Sequence, residues 1–254
     1  MGRQGRLDLT LTSRRGRTEI ADTYCEVPFK ITRLHDPGTL GIPRLILMHC
    51  TAGLFGGDRL ECTIHVERGA RVLITQQSAT KVHPSGGRPA IQRNQIRVDS
   101  GGELHLYYDP VIPFSGSRLH QSTLIEVEDG ARLCFWEGFM AGRVGRGELW
   151  EFDELSSETA LRQAGRRLYL ERFMLRPKQY PLTGDWTMGA FRYFGSFLYF
   201  GKDASDFSER FHHLLPEIAV DTPAAELAVS RVLAFEGQDF HRIREVTLAA
   251  GLIR

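Results

Sequence analysis

Three stretches of the chain repeat one pattern, and that repeat constrains the fold more than any other feature. Ile64-His65-Val66-Glu67-Arg68-Gly69-Ala70-Arg71-Val72, Ile96-Arg97-Val98-Asp99-Ser100-Gly101-Gly102-Glu103-Leu104 and Ile125-Glu126-Val127-Glu128-Asp129-Gly130-Ala131-Arg132-Leu133 share the form I-x-V-x-x-G, followed by Ala or Gly, any residue, and Val or Leu. Their glycines stand about 30 residues apart, a period that suggests the stacked layers of a β-solenoid. Each copy predicts a strand, a tight turn and a second strand, with glycine supplying the positive φ that such a turn needs. Three separate β-hairpins in a sandwich satisfy the same pattern, and periodicity does not choose between the two.

If the copies stack in register, the segments that follow them share one ledge of the molecule. These are Thr75-Gln76-Gln77-Ser78-Ala79-Thr80-Lys81, Asp109-Pro110-Val111-Ile112-Pro113-Phe114 and Glu137-Gly138-Phe139-Met140-Ala141-Gly142-Arg143. Elsewhere too, strand patterns dominate. Leu7, Leu9 and Leu11 alternate with polar residues, as do Cys62, Ile64 and Val66, and Leu104, Leu106 and Tyr108. Such period-two alternation predicts half-buried strands. The fold class expected is mainly β, a β-helix or solenoid-like stack with about two α-helices near the C-terminus. No linker divides the chain, so a single unit over 1–254 is expected, β-rich over 1–200 and mixed over 201–254. Asp206-Phe207-Ser208-Glu209 has the form of a capping box, with Phe207, Phe211, Leu214 and Leu215 at helical spacing behind it. Residues 238–248 predict a second helix, whereas 227–234 fits either a helix or a strand.

The chemistry is sparse. With 42% hydrophobic and 25% charged residues and a formal net charge of +1, nothing points to a nucleic acid or an anionic membrane. No apolar run approaches a membrane span, and Met1 to Arg6 is polar and basic with no secretory pattern. The four cysteines are scattered, so free thiols in a reducing cytoplasm are expected. Gly53-Leu54-Phe55-Gly56-Gly57-Asp58 lacks the lysine of a phosphate-binding loop and reads as a turn between strands ending near Cys50 and beginning near Leu60. There is no nucleophile elbow, no HExxH and no Ser/His/Asp signature. His212 and His213 point about 100° apart on a helix and do not chelate one ion; surface positions suit them better. Neighbours on a strand face opposite ways, so Cys50 beside His49 is expected in the core. Lys81 and Glu148 read as solvated edge charges.

Taken in order, these weak motifs resemble the UreD (UreH) family of urease accessory proteins. The resemblance runs from about Leu7 to the C-terminus. It rests on Arg14, Gly16, Arg17 and Thr18; on Gly56, Gly57 and Asp58; on Thr75, Gln76, Ala79, Thr80 and Lys81; and on Pro110, Ile112, Pro113 and Phe114. Further matches are Arg143 with Gly142, Gly147 with Glu148, and Glu171 with Arg172. Departures are Cys50-Thr51-Ala52-Gly53 in place of a proline- and glycine-rich opening, Asp109 in place of a longer Glu or Gln, and His83 in place of an aromatic residue. The resemblance implies a β-helix-like fold and a strand at 227–234. It also implies a non-enzymatic role in a cytoplasmic complex with apo-urease, a UreF-type helical protein and a UreG-type nickel GTPase. An internal water-filled passage for Ni²⁺ is implied as well.

A conduit must release its ion. Clustered His and Cys would trap a first-row ion, whereas isolated carboxylates would hold it loosely. Asp58, Asp109 and Glu148 are the candidates; Ni²⁺ is expected in transit, with no tight site and no bound cofactor. Two other readings are a scaffold with no metal role and a solenoid enzyme acting on acidic polysaccharide. The second lacks the clustered acids and basic groove it would need.

Overall fold

A computed structural model describes residues 2–36 and 38–252. β1 (Gln4–Arg14) turns back into β2 (Arg17–Cys25), and β3 (Phe29–Ile31) precedes β4 (Arg44–His49). The repeats supply β5 (Arg59–Val66) with β6 (Arg71–Gln76), β8 (Ala90–Val98) with β9 (Glu103–Tyr107), and β11 (Arg118–Val127) with β12 (Arg132–Met140). Short strands β7 (Thr80–Val82) and β10 (Val111–Pro113) follow the first two copies. Then come the hairpin β13 (Glu154–Gln163) and β14 (Arg166–Leu175), β15 (Tyr193–Phe200), and α1 (Ala204–Leu214). Last are β16 (Val220–Ala224), β17 (Leu227–Ala234) and α2 (Gly237–Leu252).

The two strands of each copy do not pair with each other. β5, β8 and β11 lie side by side in a seven-stranded sheet ordered β14-β13-β11-β8-β5-β1-β2, while β6, β9 and β12 lie in a second sheet ordered β16-β17-β15-β12-β9-β6-β4-β3. Each copy is therefore one coil of a two-sheet solenoid, not a hairpin. Successive strands within a sheet run parallel because the chain crosses to the opposite sheet before returning. The antiparallel partners β2 and β14 cover the two ends of the first sheet's parallel run.

Register follows the repeat. Leu9 pairs with Ile64, Ile64 with Ile96, Ile96 with Ile125 and Ile125 with Leu161, which makes one continuous aliphatic row. Leu11, Val66, Val98 and Val127 form the next row. Every member of both rows is buried. Gly69, Gly101 and Gly130 turn the chain between sheets at φ of +73°, +70° and +75°, where a side chain would be strained. Beyond the turn, Arg71, Glu103 and Arg132 stack with alternating charge, and Arg71 Nε meets Glu103 Oε2 at 2.6 Å. The three following segments do share a ledge: Thr80 pairs with Val111, and Val111 with Phe139.

Three sequence expectations change. β9 is buried on both faces, not one, because the helices cover the outer face of the second sheet. There Tyr107, Cys134, Trp136, Phe197 and Tyr199 pack against Phe207, Phe211, Phe240 and Ile243. Helix α1 begins at Ala204 with Asp203 at its N-cap, three residues before the cap at Asp206 that the capping-box pattern implies. Cys50 is exposed beyond the end of β4 rather than in the core. Among the described residues no helix is long and apolar enough to cross a membrane.

The central row should carry much of the stability. Ile96→Ala leaves a cavity between Ile64 and Ile125 and should cost about 2–5 kcal/mol in urea unfolding. A cost below about 1 kcal/mol would show that the row does not hold the coils together.

Candidate functional site

The aliphatic rows stop halfway along the strands. Two residues upstream of the isoleucine row, Cys62, Asn94, Thr123 and Thr159 pair in register, and that row ends at Glu171 on β14. Two residues further upstream stand Leu60, Gln92, Gln121 and Ser157. Apart from Leu60 and Cys62 these inward positions are polar, and from Gln92 to Thr159 all are buried. At a strand spacing of ~4.8 Å, the row from Cys62 to Glu171 spans about 19 Å. Buried polar groups need partners, and some of these supply one another: Asn94 Nδ2 donates to Thr123 Oγ1 at 3.0 Å, and Gln92 Nε2 to Asn94 Oδ1 at 3.4 Å, while Gln92 Oε1 and Ser157 Oγ have no partner among the described residues.

Across the interior the second sheet answers with Gln76, Tyr108 and Glu137. With Cys62, Gln92, Asn94 and Gln121 they line a small cavity of about 20 Å³, room for about one water, which His49, Thr80 and Asp109 also border. Glu137 is the most deeply buried carboxyl of that lining. Gln121 Nε2 donates to its Oε2 at 3.0 Å, and Thr159 Oγ1 to its Oε1 at 2.7 Å. Burial dominates its titration and, with Glu171 nearby, pushes the carboxyl up to about 7 despite those two donors. Burial pushes the Cys62 thiol up to about 12 and holds His49 down at about 4. The cavity therefore presents a protonated thiol and a neutral imidazole at neutral pH. Among the described residues no three His, Cys, Asp or Glu side chains gather into a metal-holding group.

Two carboxylates of this region carry an arginine: Glu171, which ends the Cys62 row, and Asp109 of the cavity lining. Glu171 accepts from Arg231 Nε at 2.6 Å, from Tyr169 Oη at 3.3 Å and from Ser196 Oγ. Asp109 lies 3.5 Å from Arg244 Nη2 of α2. Burial raises its carboxyl above the usual range, against the pull of Arg244.

The residues singled out in the sequence are only partly brought together. Asp109 lines the cavity; Asp58 and Glu148 do not. Asp58 is buried and ties the N-terminal strand to the glycine-rich loop, accepting the Arg3 N–H at 2.8 Å and the Phe55 N–H at 2.9 Å. Its neighbours Gly56 and Gly57 form that loop, which packs against Ser85 and Pro89. Glu148 is not a solvated edge charge. It is buried, accepts the Ser115 N–H at 2.8 Å and pairs with Arg143, whose guanidinium covers Phe114 at 4.4 Å. Burial alone would raise its carboxyl, yet Arg143 and the Ser115 amide hold it below the usual range. Gly147 closes the turn between the two partners.

Gln76 joins the first two ledge segments. Its Nε2 donates to Thr80 Oγ1 at 3.0 Å, its Oε1 accepts the Asp109 N–H at 3.2 Å, and the Pro110 carbonyl accepts the Thr80 N–H at 3.1 Å. Lys81 is exposed on β7. Glu171 and Arg172 point to opposite sides, and Arg172 Nε pairs outward with Glu158 at 2.7 Å. His212 and His213 are exposed. Sequence reasoning passed over Glu137 and the polar rows. Their trace was there: Glu137 is a lone charge between Phe135-Trp136 and Gly138-Phe139, and Gln92-x-Asn94 and Gln121-x-Thr123 occupy the inward phase of the strands that end in the repeat.

Fold and interior define a class: a two-sheet β-solenoid, capped on one face by helices, with a polar seam through an otherwise hydrocarbon core. The chain matches the family described as "UreD urease accessory protein" over residues 3–252. It is 31% identical to the urease accessory protein UreD of Acetivibrio thermocellus, over 81% of this chain and 78% of that one. It is 35% identical to that of Deinococcus radiodurans, over 80% and 73%. Against that of Photorhabdus laumondii it is 34% identical over 77% of this chain, which spans 63% of that longer relative. The chain belongs to the UreD family of urease accessory proteins and is not an enzyme.

Two measurements test this geometry. Asp58→Ala strips two backbone N–H groups of their acceptor and should cost about 1–3 kcal/mol; an unchanged melting temperature would remove Asp58 from the structural role. Glu137 takes up a proton on folding, because its folded value near 7 exceeds the ordinary 4.5. Stability should therefore fall by up to ~3 kcal/mol as pH rises from about 4.5 to about 7. Glu137→Gln should remove that slope in melts taken across the range, and an identical slope in the variant would place the titration elsewhere.

Proposed function

We propose that this protein takes part in urease maturation in the cytoplasm, bound to apo-urease and to a UreF-type helical partner, and that its polar seam is the passage through which Ni²⁺ moves from a UreG-type GTPase. One observation carries the reading: a register-aligned file of buried amides, hydroxyls and carboxylates where a solenoid of this kind needs only hydrocarbon. The file costs free energy where burial leaves a polar atom without a partner, as at Gln92 Oε1 and Ser157 Oγ among the described residues. It does supply what a moving cation needs, oxygen donors in sequence without a trap.

The donor set supports release as well as entry. Isolated oxygens bind a first-row divalent ion far less tightly than clustered imidazole and thiolate. Cys62 keeps its proton, so it offers the ion no thiolate. Glu137 sits midway and titrates near neutrality, so it can trade its proton for a cation at little electrostatic cost. Asp109 and Glu171 mark the two ends of the path. Asp58 and Glu148 are engaged in holding loops and stand beside the path rather than in it. Family membership supports the urease partner; the seam supports the cargo.

The test is to fill the seam with hydrocarbon while leaving the outside untouched. In Gln92→Leu/Asn94→Leu/Thr123→Val the three residues that bond one another in line are replaced together, so none is left without its partner. The variant should fold and assemble with its partners, yet activate urease at least about tenfold less well at limiting Ni²⁺, as expected when a path rather than a surface is lost. Normal activation alongside normal assembly would leave the protein a scaffold with no part in moving metal.

A further inference from the structure

Helix α2 lies over the Asp109 end of the cavity, and its two halves fit the sheet beneath very differently. The first half is anchored. Gly138 and Gly195 pair across β12 and β15, and the Phe240 ring fills the space they leave: a β-carbon on Gly138 would lie 2.7 Å from that ring. Ile243 is buried alongside. Beyond Ile243 the fully buried positions are Arg244, Thr247, Ala250 and Gly251, and the larger apolar side chains of that half, Val246, Leu248 and Leu252, are only partly buried against the same cluster. Three buried nitrogens at this interface lack a hydrogen-bond partner among the described residues: Arg244 Nε, His105 Nδ1 and Trp136 Nε1. Donors and acceptors stripped of water without replacement weaken the docked state.

Arg244 is the residue that joins this loosely seated half to the cavity. Its side chain is 9% exposed. Nη2 donates to the Tyr107 carbonyl at 3.1 Å and lies 3.5 Å from Asp109 Oδ1. Nη1 is held by Glu245 Oε1 at 2.9 Å, and the guanidinium stands over the Tyr107 ring at 5.8 Å. The positive charge thus occupies the carboxylate that an entering cation would meet first.

We propose that Arg244 is the gate of this mouth: its guanidinium stands in for the cation at Asp109, and a divalent ion gains the cavity only when the half of α2 beyond Ile243 lifts and carries Arg244 away. The gate rests on the passage proposed above. It makes Asp109 a site of exchange between a resident protein cation and a transient metal one. It also accounts for a helix half whose larger apolar side chains are only partly buried just where it crosses the rim.

The structure offers its own lock. A β-carbon at position 251 would lie 2.6 Å from Cys134 Sγ, which must turn aside, and 3.7 Å from Cys134 Cβ, inside the separation of about 3.5–4.5 Å that a disulfide spans. Gly251→Cys, in a full-length chain with Cys25→Ser and Cys50→Ser, should therefore form a reversible staple between α2 and β12. The probe is Ni²⁺ as its chloride, read by paramagnetic broadening of the Gln92, Asn94 and Gln121 side-chain amide signals inside the cavity. Reduced protein should show the broadening. Oxidised protein should need at least about tenfold more Ni²⁺ for the same effect, the closed form having become the whole population, and reductant should restore the first behaviour. Arg244→Gln, which needs no staple, should reach the same broadening at about tenfold less Ni²⁺ than the natural chain. Equal broadening in the oxidised and reduced forms, or an Arg244→Gln variant that behaves as the natural chain, overturns the gate and leaves the passage standing. No broadening of these amides in reduced protein overturns both.

Discussion

Each coil of the solenoid meets the next at strand spacing, and a side chain's neighbours are therefore set by its register alone. Ile96 touches Ile64 and Ile125 because the three occupy one position of the repeat; Asn94 touches Thr123 for the same reason. Nothing in the core is free to choose a partner independently of that register. The turn glycines carry each coil from one sheet to the other, the aliphatic rows keep the coils together, and the alternating Arg71, Glu103 and Arg132 ladder aligns their far ends. The helices, the ledge and the cavity are all positioned by this stack.

Within that frame the interior is divided into two solvents. One half of each strand meets hydrocarbon, and the other meets amides, hydroxyls and a carboxylate that bond one another in part, Gln92 Oε1, Ser157 Oγ and Tyr108 Oη having no partner among the described residues. Burial is what makes the second half chemically useful. It holds Cys62 as a thiol and His49 as a neutral ring, and it brings Glu137 close to neutrality. The same groups in water would be a thiol, an imidazole and a carboxylate of ordinary strength, with no reason to act in sequence.

The stack was legible in the repeat because I-x-V-x-x-G marks both the inward face and the turn. Whether its two strands pair with each other or with the neighbouring copies was not, since both arrangements bury the same residues. The shared ledge followed from register. Asp58 and Glu148 drew notice as charges beside glycines, but a charge in a tight loop serves equally to cap backbone N–H groups, and only the positions of the Arg3, Phe55 and Ser115 amides decide it. Glu137 was hidden for the opposite reason: it lies within an apolar strand, and its donors come from the opposite sheet, 16 and 22 residues away in sequence. The burial of β9 on both faces depended on helices that follow it by about a hundred residues, beyond the reach of any local pattern.

The division of the strands into two halves makes this protein tolerant of one kind of error and intolerant of another. A slip of one residue in any coil turns its whole set of side chains inside out and destroys the core. A slip of two leaves every side chain on its proper face, hydrocarbon still inside, and the coil still stacked. It does, however, carry an isoleucine into the polar file and an amide into the aliphatic one. The chain would look folded by most criteria and would have a break in its interior line. Selection acting on the number of residues in each coil therefore guards two properties at once, and the tighter of the two tolerances belongs to the line rather than to the fold.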